Sequence, residues 1–309
     1  MGVLICTYQR AGQLRQALAG LRSQTRAPDE VLVVVRPDDA PSRAVVAETT
    51  GLPLREVLVD RPGVVAARNA ALEVATVEVL AFLDDDAVPE PDWLQRMAAH
   101  YDVPEVGAVG GRDRVFHDGV PVDEGVRSDV GTLTWYGRFV ALHHRGAGPA
   151  RDVDHLKGVN MSFRRGQFPD IRVDEQLRGK GAQVHEEASI TLEVKRRGFR
   201  VVYDPAIAVD HFEADRGHLD ARAPVQARPR RDRHHNQTYV VTRYYAPYRA
   251  LVHFLFAVLV GTSDAPGLVV TVRDIARSRR VRTRHLELFW TNLRGRVEGV
   301  GTALRRSGP

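Results

Sequence analysis

Short apolar runs and helix-spaced apolar positions alternate through the first half of the chain. Residues 2–6 form an apolar run of strand length, and Leu14, Leu18 and Leu21 then recur along one helix face. Residues 31–35 are continuously apolar, as a strand covered on both faces must be. A third strand is expected over 54–59, a helix over 66–75, and a fourth strand over 77–83 that runs into Asp84-Asp85-Asp86. A helix over 91–101 and a strand over 106–109 continue the alternation. This order predicts an α/β fold with a mainly parallel, doubly wound sheet. Ligands of such sheets gather beyond the carboxyl ends of the strands. That rule selects residues 6–10, Asp38 with Asp39, and Asp84 to Asp86.

The second half is less regular. Residues 117–152 are rich in Gly, Asp and Arg and read as a long excursion. A strand is expected over 158–164, a loop over 171–182 and a helix over 184–197 with Ile190 and Val194 on one face. Short strands follow at 200–203 and 207–209. Residues 213–231, with Pro224 and Pro229, read as a linker, and helices are expected near 232–246, 248–260, 268–280 and 284–305. The chain thus divides into a domain over 1–212, the linker, and a helical extension over 232–309.

Charge sharpens that division. The net charge of +5 is the sum of −5 over residues 1–212 and +10 over residues 213–309. A basic extension points to an anionic partner. Residues 250–261 are apolar apart from His253, too short a stretch to span a bilayer, which needs about 20 residues. A buried core helix is the plainer reading. A helix lying in the membrane interface, with Tyr244, Tyr245 and Tyr248 at headgroup depth, is the functional one. No nucleic-acid-binding module is recognisable, so nucleic acid is not expected as a partner. Cys6 is the only cysteine, which excludes a disulfide scaffold. The first apolar run is too short and lacks the basic leader of a signal peptide, so a cytoplasmic location is expected. The chain begins almost inside its first strand, and a residue or two upstream is expected.

Asp84-Asp85-Asp86 is the strongest chemical signal. Side chains alternate along an extended segment, so Asp84 and Asp86 can face one side. Two carboxylates there suit a hard divalent cation, Mg2+ or Mn2+, which binds diphosphate oxygens in turn. The plainer reading is a solvated acidic turn before Pro89-Glu90-Pro91.

Five segments, in order, resemble family 2 glycosyltransferases of the GT-A fold. Leu4-Ile5-Cys6-Thr7-Tyr8-Gln9-Arg10 is similar to their opening strand and loop, and Asp84-Asp85-Asp86 to their DxD motif. Gly63-Val64-Val65-Ala66-Ala67-Arg68-Asn69 resembles their Gly-x-x-x-Ala-Arg-Asn signature. Gly158-Val159-Asn160-Met161-Ser162-Phe163-Arg164 resembles their acceptor-side strand, Gly-x-Asn-x-x-Phe-Arg. Glu186-Glu187 with Arg196-Arg197-Gly198-Phe199 resembles their Glu-Asp helix. Two departures stand out: Arg36-Pro37-Asp38-Asp39 replaces Asp-Asp-Gly-Ser, and Glu186-Glu187 replaces Glu-Asp.

The resemblance implies an inverting transfer from a UDP-, GDP- or dTDP-sugar to a hydroxyl, with a glycan or lipid-linked acceptor. It places Thr7, Tyr8, Arg10, Asp38 or Asp39, Arg68, Asp84 and Asp85 at the donor and Gly158 and Asn160 at the acceptor. Glu187 takes the position of the base, with Glu186 as the alternative; the plainer reading is two carboxylates in a first helical turn. His211 completes the metal site with Asp84 and Asp86, and favours Mn2+ over Mg2+. Arg233 or His235 is a candidate to close over the diphosphate, against a solvated helix start. Lipid-linked acceptors place such an enzyme in the cell envelope pathway, as a peripheral protein at the inner face of the cytoplasmic membrane. The Gln-x-x-Arg-Trp pattern of processive synthases is absent, so transfer of one or a few sugars is expected. Competing readings are a metal-dependent nucleotidyltransferase and a non-catalytic nucleotide-sugar-binding module.

Overall fold

Strand β1 (Gly2–Cys6) is buried over four of its five residues and β2 (Glu30–Val35) over five of its six, as their unbroken apolar runs require. They belong to a computed structural model that describes residues 1–179, 181, 183–212, 227–278 and 283–306. The other strands are β3 (Leu54–Leu58), β4 (Leu80–Asp84), β5 (Ala87–Pro89), β6 (Val106–His117), β7 (Val120–Pro121), β8 (Thr132–Leu133), β9 (Phe139–Val140), β10 (Arg151–Asp152), β11 (Asn160–Phe163) and β12 (Arg200–Phe212). Among the described residues ten strands form one sheet, in the order β10-β12-β6-β11-β4-β1-β2-β3, with β5 on β12 and β7 on β6. β8 and β9 pair with each other.

Parallel pairings link β4, β1, β2 and β3, and also β6 and β12. β11 is antiparallel to both β4 and β6, which makes the sheet mixed at that position. Helices α1 (Ala11–Arg22), α2 (Ala40–Glu48), α3 (Val64–Val74) and α4 (Trp93–Ala99) lie between successive strands. Helix α1 buries Leu14, Leu18 and Leu21 in a core shared with Val3, Ile5 and Val33.

Contacts divide the chain into two units. The first comprises Met1–Thr132, Val140–Val173 and the segment from Glu187 that includes β12. The second gathers Leu133–Phe139, Asp174–Glu186 and the C-terminal helices. Helix α5 (Glu186–Arg196) precedes β12; the C-terminal helices are α6 (Ala227–Tyr244), α7 (Pro247–Leu259), α8 (Leu268–Ser278) and α9 (Thr283–Arg306). No helix among the described residues is long and apolar enough to cross a membrane.

Several expected elements change. Strand β6 runs to His117 instead of ending at 109, and 200–203 with 207–209 are one strand with a register shift between Asp204 and Ala208. Helix α2 and strand β5 were not expected. Helix α6 starts at Ala227, inside the segment read as a linker, because 227–231 continue the helical run; the rest of that segment, 213–226, lies outside the described residues. So do 279–280 of the expected third C-terminal helix and positions 180 and 182 of the expected loop.

Candidate active site

The acidic cluster sits where two strand pairings meet. Parallel register sets Asp84 beside Cys6 at the end of β1. The chain turns through Asp85 and Asp86 into β5, and β5 pairs antiparallel with β12, which places Ala87 opposite His211. Phe212 N–H donates to the Asp86 carbonyl at 2.8 Å. This pairing brings a residue 125 positions away onto the cluster. Ligand atoms of Asp84, Asp86 and His211 lie within 4.8 Å of one another. Asp86 and His211 are buried, whereas Asp84 is partly exposed.

The chemistry of these three side chains fits a divalent cation. Two carboxylates and one imidazole offer hard oxygen ligands with a single nitrogen, a set suited to Mn2+. His211 Nε2 faces Asp86 Oδ1 at 3.3 Å, and Nδ1 faces Asp113 Oδ2 at 3.6 Å. Neither ring nitrogen makes a well-formed hydrogen bond among the described residues, although the side chain is buried. Burial lowers the His211 pKa, but the Asp113 and Asp86 carboxylates outweigh it and push it up to about 9. The ring therefore favours a positive charge at this place, whether a proton or a cation supplies it.

Asp113 was not anticipated. It lies on β6, fully buried, and pairs with Lys157 Nζ. Burial raises its pKa, but Lys157 and His211 outweigh that and hold it well below the usual carboxylate range. A carboxylate behind a ligating histidine fixes the ring and raises its basicity. Along Arg112-Asp113-Arg114-Val115-Phe116 burial alternates, with Asp113 and Val115 inside, a pattern that three consecutive charged residues do not show in the sequence. The expected end of the strand at 109 hid it.

Two arginines compensate the acidic cluster. Arg10, at the start of α1, places Nη1 3.0 Å from Asp85 Oδ1 and 3.1 Å from Asp86 Oδ2. Burial still pushes Asp85 up to about 6, against the Arg10 charge. Arg68, on α3, is 4% exposed; Nη2 lies 3.4 Å from Asp84 Oδ1 and donates to the Gly158 carbonyl at 3.3 Å. A Cβ at position 158 would stand 2.6 Å from that guanidinium, so Gly158 makes room for Arg68.

The other expected donor residues separate. Asp39 is buried, accepts from Gln9 N at 2.6 Å and Ser42 N at 3.3 Å, and caps α2. It therefore holds the loop after β1 in place. Asp38 is exposed and paired with Arg36 at 3.0 Å. Thr7 is buried; Tyr8 is 40% exposed, with the Arg36 guanidinium 5.3 Å from its ring centre, which leaves an aromatic face at the surface.

Asn160 is placed deep in the sheet. It is 1% exposed, accepts from Trp93 Nε1 at 2.8 Å and donates to the carbonyls of Arg112 and Ile207 at 3.1 and 2.9 Å. Its amide ties β11 to β6, β12 and α4, a structural role carried by three hydrogen bonds. Asn69 also reaches beyond its local turn: its amide exchanges two hydrogen bonds with the Val173 backbone, at 2.9 and 2.8 Å. His235 is not at a solvated helix start. It is fully buried, bonded to Thr302 Oγ1 and Asn236 Oδ1 at 3.0 Å each. Glu186 and Glu187 occupy the first turn of α5, Glu186 buried and Glu187 partly exposed. His185, just before them, has a positive φ of 71°.

Comparison with known proteins adds to this arrangement. The sequence profile described as "Glycosyl transferase family 2" matches residues 2–162. A glucosyl-dolichyl phosphate glucuronosyltransferase of Haloferax volcanii is 26% identical over 223 residues, covering 68% of each chain. A mannosyltransferase from Pyrobaculum calidifontis, solved with GDP-Man and Mn2+, is 17% identical with a TM-score of 0.52, covering 99% of this chain and 87% of that one. S. aureus TarS 1-349, solved with UDP-GlcNAc, is 17% identical with a TM-score of 0.64, covering 97% of this chain and 81% of that one. These structures share the GT-A architecture, including the mostly parallel sheet whose strand ends carry Asp84 to Asp86. Because the profile spans more than half of the sequence and ends within β11, this chain belongs to glycosyl transferase family 2 and is a glycosyltransferase.

Proposed function

We propose that the enzyme moves a sugar from a nucleoside-diphosphate sugar to a hydroxyl acceptor with inversion, through a divalent cation held by Asp84, Asp86 and His211. The convergence of these three side chains within 4.8 Å is the observation that carries the reading. A bound cation, Mn2+ by the character of its ligands, neutralises charge that develops on the leaving diphosphate. Asp113 orients His211 for that task, and Arg10 and Arg68 hold the carboxylates in place. Glu187 takes the proton of the attacking hydroxyl, with Glu186 its alternative; attack assisted by one base inverts the anomeric carbon. The nucleotide sugars named with the solved relatives, GDP-Man and UDP-GlcNAc, set the range of donors to test.

The acceptor is a lipid-linked or cell-envelope glycan, a class supported by the dolichyl phosphate in the name of the Haloferax relative. Exposed Leu251, Leu255 and Leu259 on α7 and Val269 and Val272 on α8 support contact with a membrane surface. The basic extension, 232–309, would make that contact from the inner face of the membrane, and 1–212 would carry the reaction.

Donor hydrolysis and transfer, measured across nucleotide sugars with Mn2+, test this function. Asp86→Ala and excess EDTA should each abolish both reactions, and full activity under either condition refutes the metal site. Glu187→Gln should lower kcat by about a hundredfold or more with little change in donor affinity. The same loss in Glu186→Gln alone moves the base by one residue.

A further inference from the structure

The second unit holds a half-open cavity of about 570 Å3, lined among others by Arg138, Arg230, Arg233 and Arg296. Among the described residues Asp264 is the one carboxylate in its lining, and it is exposed. Elsewhere in this unit Arg178 and Arg231 share Glu298, at 2.5 Å and 3.0 Å. Arg233 and Arg296 have no carboxylate partner among the described residues. Arg296 is 4% exposed and donates to the Ala257 carbonyl. A buried guanidinium without a counter-ion is costly, so this arrangement favours an anion. His234, 4% exposed, lines the same space, and its Nδ1 has no hydrogen-bond partner among the described residues. Burial and the charges of Arg296, Arg230 and Arg233 keep its ring neutral.

The rest of the lining is mixed, with an aromatic and aliphatic wall beside polar residues such as Gln237, Thr262 and Ser263. Tyr136 and Phe256 stack with ring centres 4.1 Å apart, and Phe139 and Leu288 add to that wall. The volume falls in the range of small-molecule sites, roughly 300–1,000 Å3, and exceeds what one phosphate fills. Residues 261–266, part of the lining, join α7 to α8, and the exposed Leu255, Leu259, Leu268 and Val269 lie on those two helices. An apolar chain leaving the cavity would therefore have covering surface beside it.

We propose that this cavity binds the phosphate or diphosphate head of an amphiphilic ligand, gripped by Arg138, Arg233 and Arg296 and flanked by Tyr136 and Phe256. Guanidinium forks match phosphate oxygens two at a time, and the aromatic wall suits the adjoining apolar part. The site consists of second-unit residues alone and does not depend on the proposed transfer reaction.

The test uses the full-length protein in EDTA, so that no diphosphate is held through a metal at Asp84 and Asp86. Inorganic pyrophosphate is titrated by calorimetry. Sedimentation then compares phosphatidylcholine vesicles containing phosphatidic acid with vesicles containing phosphatidylserine, matched for surface charge. The expected result is preference for phosphatidic acid, competition by pyrophosphate, and about tenfold weaker binding in Arg233→Gln and in Arg138→Gln. Arg233→Lys should restore part of the loss. Arg249→Gln, an equal loss of charge outside the cavity, should leave the preference intact. Arg233 makes no ion pair among the described residues, so its replacement should leave thermal unfolding unchanged. Pyrophosphate binding that depends on Arg233, without preference between the lipids, keeps the phosphate site and assigns it to a soluble ester. Absence of both responses, or equal weakening by Arg249→Gln, overturns the proposal.

Discussion

A single buried amide shows what a short motif encodes and what it hides. Asn160 satisfies the Trp93 indole and two strand carbonyls at once. Replacing it by leucine strands three polar groups, each worth about 1–3 kcal/mol when buried without a partner. Asn160→Leu should therefore lower unfolding free energy by about 3 kcal/mol or more in urea, while donor affinity per folded molecule is kept. Loss of acceptor binding without loss of stability would instead assign it the acceptor role. The type and order of the motif residues were legible from sequence, and so was the pairing of Asp84, Asp86 and His211. Depth was not: an amide facing solvent and one facing three buried partners look alike in one dimension. Asp39 shows the same limit, since its turn-forming neighbours Pro37 and Asp38 suggest a surface loop while its own carboxylate is buried beneath two backbone N–H groups.

Elements were legible where burial on both faces made the run unbroken, as in β1 and β2. They were misread where a strand bends. Strand β12 passes from Asp204, opposite Gly111, to Ala208, opposite Arg112, so 205–207 bulge out of the ladder. Pro205 cannot donate to that ladder, which is why the sequence looked like two strands. On the partner strand the expected run stopped at 109, just before Gly110-Gly111. The glycine at 111 admits the Ile207 carbonyl; a Cβ there would sit 1.8 Å from that oxygen. Gly111→Ala must push β12 away from β6, at a cost of about 3 kcal/mol. Because Asp113 and His211 ride on those two strands beyond the bulge, Mn2+ affinity should fall in the same variant. Wild-type stability in urea together with unchanged Mn2+ titration would show that the bulge tolerates a side chain.

Across the whole molecule, the acidic and basic halves could be read from composition, whereas the membership of the second unit could not. Leu133–Phe139 and Asp174–Glu186 join the C-terminal helices through side-chain hydrogen bonds over long separations. His253 pairs with the Tyr136 carbonyl at 3.0 Å and Asp174 with the Tyr239 hydroxyl at 2.5 Å. No local pattern announces such bonds. Buried histidines in both units also set a pH limit. Burial lowers His143 to about 3, and His155 and His253 to about 4, from 6.5. Their neutral forms suit the fold, so their contribution is fully present above 6.5 and is lost as pH falls from there toward 4. Each should remove about 1.4 kcal/mol of stability per pH unit inside that window. Thermal unfolding should shift steeply downward on acidification below 6.5, less steeply in His155→Phe. A flat profile over that window would contradict the burial of these rings in neutral form.

The pairing of β5 with β12 has a consequence for biosynthesis. Chains emerge amino terminus first, and their early segments begin to fold before the rest is made. Asp84 and Asp86 are therefore in place well before the ribosome has added His211, which reaches them only when β12 docks on β5. An unfinished chain carries two carboxylates and no third ligand. Only a chain made as far as β12 gains the full linkage energy of a cation bound there, about 2.7 kcal/mol at a hundredfold excess over Kd. Cation binding would thus act as a latch that holds β12 on β5 once that strand has docked.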